Sequence, residues 1–203
     1  LHERLGPEDF ETLPEVKKYS SSRTGLYFSS FIINQLGFEG ELALGTLVNI
    51  VPPEGSPPVL ADATEGKFQL TWFPLKNINL TGTYILARAI SRDGSGSVFD
   101  NHIGRFKVNW QLDRKASIRA ILHYNEVQPN PENTSMETFR NFNADVLFTY
   151  QVNSWTALYV GYNNNLRNRA LYPTKSGNEI ILTPDLHNDA WQLFAKFSYF
   201  LQF

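Results

Sequence analysis

The four histidines, His2, His102, His123 and His187, have the widest chemical range of any residues in this chain. Hydrolysis needs a nucleophile, a base and a group that orients the base, all within hydrogen-bond reach. Ser117 shares a strand face with His123, but six residues along a strand is roughly 20 Å, too far for proton transfer. The cross-strand neighbour inferred for His123 is Arg105, a poor partner for a base. His102 and His187 lie near the ends of long connectors, and His2 lies in the leading segment. No two histidines have the spacing of metal ligands, so no metal and no cofactor is expected. Cysteine is absent, which excludes disulfides and thiolate sites. The run S-R-D-G-S-G-S at 91–97 lacks the strand–helix setting and the lysine of a phosphate loop. Asn133-Thr134-Ser135 matches a glycosylation sequon, which we read as coincidence.

Charge is the other chemistry available. Lys67, Arg105, Lys107, Arg119, His123 and Lys196, with the single acid Asp145, fall on the polar faces of alternating segments. A basic wall of this kind concentrates counter-charges and would favour anions or acidic glycans in a pore. The structural alternative is that each charge pairs with an acid on further strands or a plug, because buried charges need partners.

The elements that carry these residues are strands. The closing stretch A-W-Q-L-F-A-K-F-S-Y-F-L-Q-F (190–203) is apolar or aromatic at every odd position, and mostly polar at the even ones. Period two defines a strand with two unlike faces. Its length and terminal Phe203 fit a transmembrane barrel better than a soluble sandwich. Phe197, Tyr199, Leu201 and Phe203 resemble the C-terminal insertion signal of bacterial outer-membrane barrels.

Nine such segments are expected, near 24–35, 40–51, 65–75, 78–90, 98–112, 116–126, 139–152, 156–163 and 189–203. Residues 1–23 read as a polar loop or surface segment, and 24–203 as barrel strands. The connectors alternate: 36–39, 76–77, 113–115 and 153–155 are short, whereas 52–64, 91–97, 127–138 and 164–188 are long. Outer-membrane barrels pair short periplasmic turns with longer external loops, which would place the C-terminus in the periplasm. Paired residues must share a face; a turn at 113–115 therefore pairs Leu112 with Ala116, Trp110 with Ile118 and Arg105 with His123. Trp72, Trp110 and Trp155 gather near the short turns, and Tyr124, Tyr162 and Trp191 near the opposite ends, as two interfacial girdles would. The fold class expected is all-β: a transmembrane, antiparallel, up-and-down barrel. Since single-chain barrels have even strand counts, these segments read as the C-terminal portion of a larger one.

The stretches H-I-G-R-F-K-V-N-W-Q-L-D-R-K-A-S-I-R-A-I-L-H-Y-N (102–125) and F-N-A-D-V-L-F-T-Y-Q-V-N-S-W-T-A-L-Y-V-G-Y-N-N-N (142–165), with the closing K-F-S-Y-F-L-Q-F, carry a family resemblance. They resemble the C-terminal barrel, a domain of unknown function, of bacterial outer-membrane proteins that bear an N-terminal carbohydrate-binding family 9-like domain. The matching residues are strand and turn residues, so the resemblance implies architecture and assigns no catalytic role. It implies an anchor or pore. The expected partners are outer-membrane lipid and lipopolysaccharide, the barrel-assembly machinery during insertion, and companion outer-membrane or periplasmic proteins. A membrane-associated hydrolase acting on lipid or glycan is the alternative, although no lipid-facing serine–histidine pair is evident; a soluble β-barrel or sandwich binding protein is the second. A net charge of −2 shows no basic excess for nucleic acid. No run of eighteen apolar residues offers a membrane helix.

Overall fold

A computed structural model describes residues 2–153, 155–174 and 177–199. Two short strands, β1 (His2–Leu5) and β2 (Lys17–Ser20), pair with each other. Nine strands then follow as one antiparallel meander: β3 (Arg23–Ile33), β4 (Leu36–Asn49), β5 (Val59–Leu75), β6 (Ile78–Ser91), β7 (Ser97–Gln111), β8 (Ala116–Pro129), β9 (Phe139–Asn153), β10 (Thr156–Thr174) and β11 (Gly177–Tyr199). Every strand pairs with its sequence neighbours, and no ladder joins β3 to β11 among the described residues.

The expected register holds at the β7–β8 turn. Trp110 lies opposite Ile118, Asn109 opposite Arg119 and Arg105 opposite His123. The Leu112 N–H donates to the Ala116 carbonyl, which closes the hairpin where expected. Asp113 fixes the turn by accepting from the N–H groups of Lys115 and Ala116.

Three expectations are corrected. First, the leading segment is not all loop, because β1 and β2 form a hairpin whose Tyr19 hydroxyl donates to the Pro58 carbonyl. Second, the turn between the first two barrel strands falls at Asn34–Gln35 and not at 36–39. Leu36-Gly37-Phe38-Glu39 instead opens β4, with Gly37 opposite Phe31 and Gly40 opposite Phe28. Those rings lie over the bare glycine backbone where a Cβ would sit, so aromatic cover stands in for missing side chains. Third, 164–188 is not a loop. β10 and β11 continue through it as a long hairpin, with irregular pairing between Asn165 and Leu166 and between Arg167 and Arg169.

The buried apolar cluster lies at the long-connector end. Ala61, Ala89 and Val98 are fully covered, with Leu47 and Phe99 packed on them. The connectors above interlock: Asn133 donates to the carbonyls of Ser95 and Ser97, while its own carbonyl accepts from Asn49. Thr134 donates to the Val51 carbonyl. The expected sequon at Asn133 is therefore a buried structural amide. Among the described residues no second layer covers the nine-stranded sheet, and large apolar residues stand exposed along it.

Candidate membrane-facing surface and polar face

Register divides the sheet into two chemically opposed faces. On one face a row crosses five strands through Phe68, Tyr84, Gly104, Tyr124 and Phe142. The next row runs Leu70, Gly82, Phe106, Leu122, Ala144, and a third Trp72, Leu80, Val108, Ala120, Val146, Tyr162, Leu193. No charged side chain belongs to this face within 78–87 of β6, 103–111 of β7, 116–125 of β8 or 141–153 of β9. Those spans match the roughly 9–11 residues by which a tilted strand crosses hydrocarbon. Gly82 and Gly104 leave a shallow apolar hollow of about 420 Å³ between Phe68, Leu70, Phe106 and Leu122.

Charge returns abruptly at the long-connector end of the same face. Arg88 pairs with Asp100, Arg140 with Glu126 at 2.8 Å and Arg92 with Asp62 at 2.8 Å. His102 belongs to this belt, its Nδ1 lying 2.6 Å from the Tyr84 hydroxyl. The short turns are staggered along the rows. Leu36 stands in the row of Trp72, Ile78 in that of Trp110 and Ala116 in that of Tyr150. A progressive offset between hairpins is the shear that strand tilt in a barrel requires.

Of the six aromatics expected at membrane boundaries, Trp72, Trp110, Tyr124, Tyr162 and Trp191 all occupy the apolar face. Trp155 lies in the β9–β10 turn, its N–H bound to the Asn153 side chain. Phe197 and Tyr199 extend the apolar face along β11, whereas Leu201 and Phe203 lie outside the described residues.

The opposite face collects the expected charged residues. Arg105, His123, Asn143 and Asn165 form one row, and Lys107, Ile121, Asp145, Asn163 and Gln192 the next. Lys67 lies opposite Glu41 on this face. Lys196 sits over the Tyr159 ring, and Asp145 accepts a hydrogen bond from Asn163.

Asp145 is not the single acid of this face, and the face is not uniformly basic. Glu39, Glu41 and Glu65 share it, and Arg23 bridges Glu41 at 3.0 Å and Glu65 at 2.9 Å. Sequence reasoning missed Glu39 and Glu41 because 24–51 reads as apolar on both faces, and left out Glu65 although it stands two residues from Lys67 on the same strand. Their two-residue spacing opposite Lys67 was the signal that could have placed them.

The candidate catalytic groups stay apart. Ser117 and His123 remain six positions apart on β8, and His102 and His123 lie on opposite faces. His187 lies opposite Arg167. Sequence reasoning did not anticipate that Ser20 Oγ would lie 2.9 Å from His2 Nδ1, on an exposed hairpin. Among the described residues no three His, Cys, Asp or Glu side chains are grouped to hold a metal.

No protein-family model matches this sequence, and no curated protein does. Among solved structures it is similar to the outer-membrane expressed OmpT of Vibrio cholerae, with a TM-score of 0.50 and 13% sequence identity. The match covers 89% of this chain but 56% of that one. The architecture is therefore that of an outer-membrane β-barrel, and the chain spans little more than half the length of the barrel protein it matches.

Proposed function

We propose that this chain is the membrane-spanning wall of a larger bacterial outer-membrane barrel, serving as an anchor or a pore for a carbohydrate-related module. The single observation behind this reading is the contrast between the faces. One is free of charge over a hydrocarbon thickness and ends at a charged belt; the other is rich in amide and hydroxyl groups and carries Arg105, Lys107, Arg119 and Asp145 within the same span. A soluble sheet with one buried face would need a second layer to cover Phe106, Leu122 and Val146, which stay 44%, 41% and 42% exposed.

In this orientation the apolar face meets lipid, with Trp72, Trp110, Trp155, Tyr124, Tyr162 and Trp191 at its boundaries. The polar face borders the lumen, with Lys67, Arg105, Lys107, Arg119, His123, Asp145 and Lys196 on it. The long connectors face outward, the C-terminus lies in the periplasm, and Phe197 to Phe203 serve insertion by the assembly machinery. Lipid and lipopolysaccharide surround the barrel. The carbohydrate-binding family 9-like module and companion proteins rest on the resemblance of 102–125 and 142–165.

The absence of cysteine gives a clean test. Single cysteines replacing Ser95 in a long connector and Asn77 in a short turn are treated on intact cells with a membrane-impermeant maleimide. Position 95 should label and position 77 should label only after lysis. Labelling of position 77 on intact cells, or recovery of the protein in the soluble fraction, overturns the orientation or the membrane reading. Liposome swelling by the full-length protein then separates pore from anchor.

A further inference from the structure

We propose that Arg105, Lys107 and Arg119 form a binding site for oxyanions, the phosphate or carboxylate groups of a small solute, on the polar face of β7 and β8. The site rests on the reading of that face as the water-filled side of the barrel. Arg105 and Lys107 are successive same-face residues of β7, roughly 7 Å apart. Arg119 reaches the same face from β8, opposite Asn109 and so one same-face step from Lys107. Three positive charges thus follow one another along the same stretch of the polar face, with Lys107 between the levels of the two arginines.

Among the arginines of the nine-stranded sheet, Arg105 and Arg119 are set apart by having no carboxylate partner among the described residues. Arg23, Arg88, Arg92, Arg140, Arg167 and Arg169 each bridge an acid. Arg105, Lys107 and Arg119 make no ion pair among the described residues, although Asp145 lies only one strand beyond β8. That carboxylate is held by Asn163 instead. Repulsion among three neighbouring cations is unfavourable unless an anion or solvent relieves it. Guanidinium groups suit the task because their planar fork binds carboxylate and phosphate through paired hydrogen bonds.

The surroundings supply mostly neutral polar groups, with Asp145 the one acid lining either hollow. Arg119 lines a hollow of about 370 Å³ with Asn79, Asn109, Gln111, Ser117 and Thr149. Arg105 lines a second hollow, also of about 370 Å³, with His123, Asn141, Asn143, Asp145 and Asn165, and the Asp145 carboxylate there is engaged by the Asn163 amide. The His123 Nδ1 there is buried without a hydrogen-bond partner. Lys107 lies on β7 between the levels of Arg105 and Arg119 and lines neither hollow. Glu39, Glu41 and Glu65 lie on β4 and β5 of the same face, so the potential across it changes sign and directs an anion toward β7–β8.

The test uses the full-length protein in detergent micelles and calorimetric titration with pyrophosphate, citrate and spermine. The parent should bind pyrophosphate or citrate and not spermine, and binding should weaken at least tenfold in R105Q/R119Q. Lys67→Gln, on the same face but opposite Glu41, should leave it unchanged. If the double variant does not fold, Lys107→Gln alone should weaken binding several-fold. Absence of anion binding by the parent overturns the site, as would happen if a plug or further strand already neutralises these cations. Equal affinity in parent and folded double variant overturns it too. Liposome swelling keeps the two readings separable: swelling without anion binding refutes the site alone, and anion binding without swelling refutes only the pore.

Discussion

Leu122 and Ile121 are consecutive residues of β8 with opposite surroundings, and an arginine at each makes a matched experiment. Leu122 stands on the apolar face between Phe106 and Ala144, near the middle of the charge-free span. Ile121 stands on the polar face between Lys107 and Asp145. Arginine on the lipid face of a barrel near the bilayer midplane costs about 2–4 kcal/mol. At 1.36 kcal/mol per tenfold, that is a factor of roughly 30 to 900 in the folding equilibrium. Ile121→Arg removes modest apolar contact and brings a cation beside the Asp145 carboxylate, so its effect should stay within about 1 kcal/mol. The assay is urea unfolding from phospholipid vesicles, followed by tryptophan fluorescence and checked by heat-modifiable gel migration. Leu122→Arg should lower the midpoint sharply and Ile121→Arg hardly at all. The reasoning fails if the two variants shift equally, or if Ile121→Arg is the damaging one. Either result would put the dry side of the sheet where Lys107 and Asp145 are.

Other outcomes follow from particular contacts. Gly40→Ala places a methyl group against the Phe28 ring, whereas Gly66→Ala meets open space on the same face; the first should cost about 1–3 kcal/mol and the second almost nothing, by the same unfolding assay. Asn133→Ala removes the amide that donates to Ser95 and Ser97, a loss of about 1–3 kcal/mol, and proteolysis of intact cells should cut 92–96 and 130–138 faster. Asp93, in the 92–96 connector, is held at about 2, against an ordinary 3.8, first by the Ser95 hydroxyl, then by the Ser95 N–H and the Ser91 hydroxyl. Because its folded value is depressed, its contribution to stability is complete above the ordinary value and is lost as pH falls through the folded one. A carboxyl-carbon NMR titration should show the low midpoint, and Ser95→Ala should raise it. The His2–Ser20 pair has the distance of a nucleophile and its base, yet lies on an exposed hairpin; Ser20→Ala should leave hydrolysis of a p-nitrophenyl ester unchanged from background.

The sequence was most legible where water and hydrocarbon make unlike demands on successive residues. In 102–125 each polar residue faces across the strand from an apolar one, so only one register keeps Arg105 beside His123 and Trp110 beside Ile118, and the structure adopts it. Alternation disappears for two opposite reasons elsewhere. In β4 the small residues Ala43 and Gly45 continue the face of Glu39 and Glu41 and blur its contrast with the face of Leu42 and Leu44, and Phe28 and Phe31 cover glycines that otherwise read as turn residues. The outer part of the β10–β11 hairpin, from Leu166 to His187, extends past the charge-free band. Residues such as Arg167, Asn168, Arg169, Thr183 and Asp185 read as loop there, although β10 and β11 run through them; Arg167 and Arg169 are paired, and Asn168, Thr183 and Asp185 fall at the irregularity. The charged positions inherited the same limits. Those on β7 to β9 followed from the register, whereas Glu39, Glu41 and Glu65 required pairings that composition did not reveal.

Among the described residues β3 and β11 are the two edges of the nine-stranded sheet. Leu26 on β3 and Phe197 on β11 are 75% and 65% exposed, against 44% for Phe106 and 41% for Leu122 in the middle of the sheet. The excess is what a missing neighbour strand leaves uncovered. In hydrocarbon an unpaired row of backbone N–H and carbonyl groups costs several kcal/mol per group, so spanning sheets close. Nine alternating strands leave β3 and β11 running in the same direction, and joining them directly would make a parallel seam. Two copies of the sheet placed side by side would meet in parallel at both seams as well. Antiparallel closure therefore takes an odd number of additional strands between these edges, which gives the even total usual for such barrels.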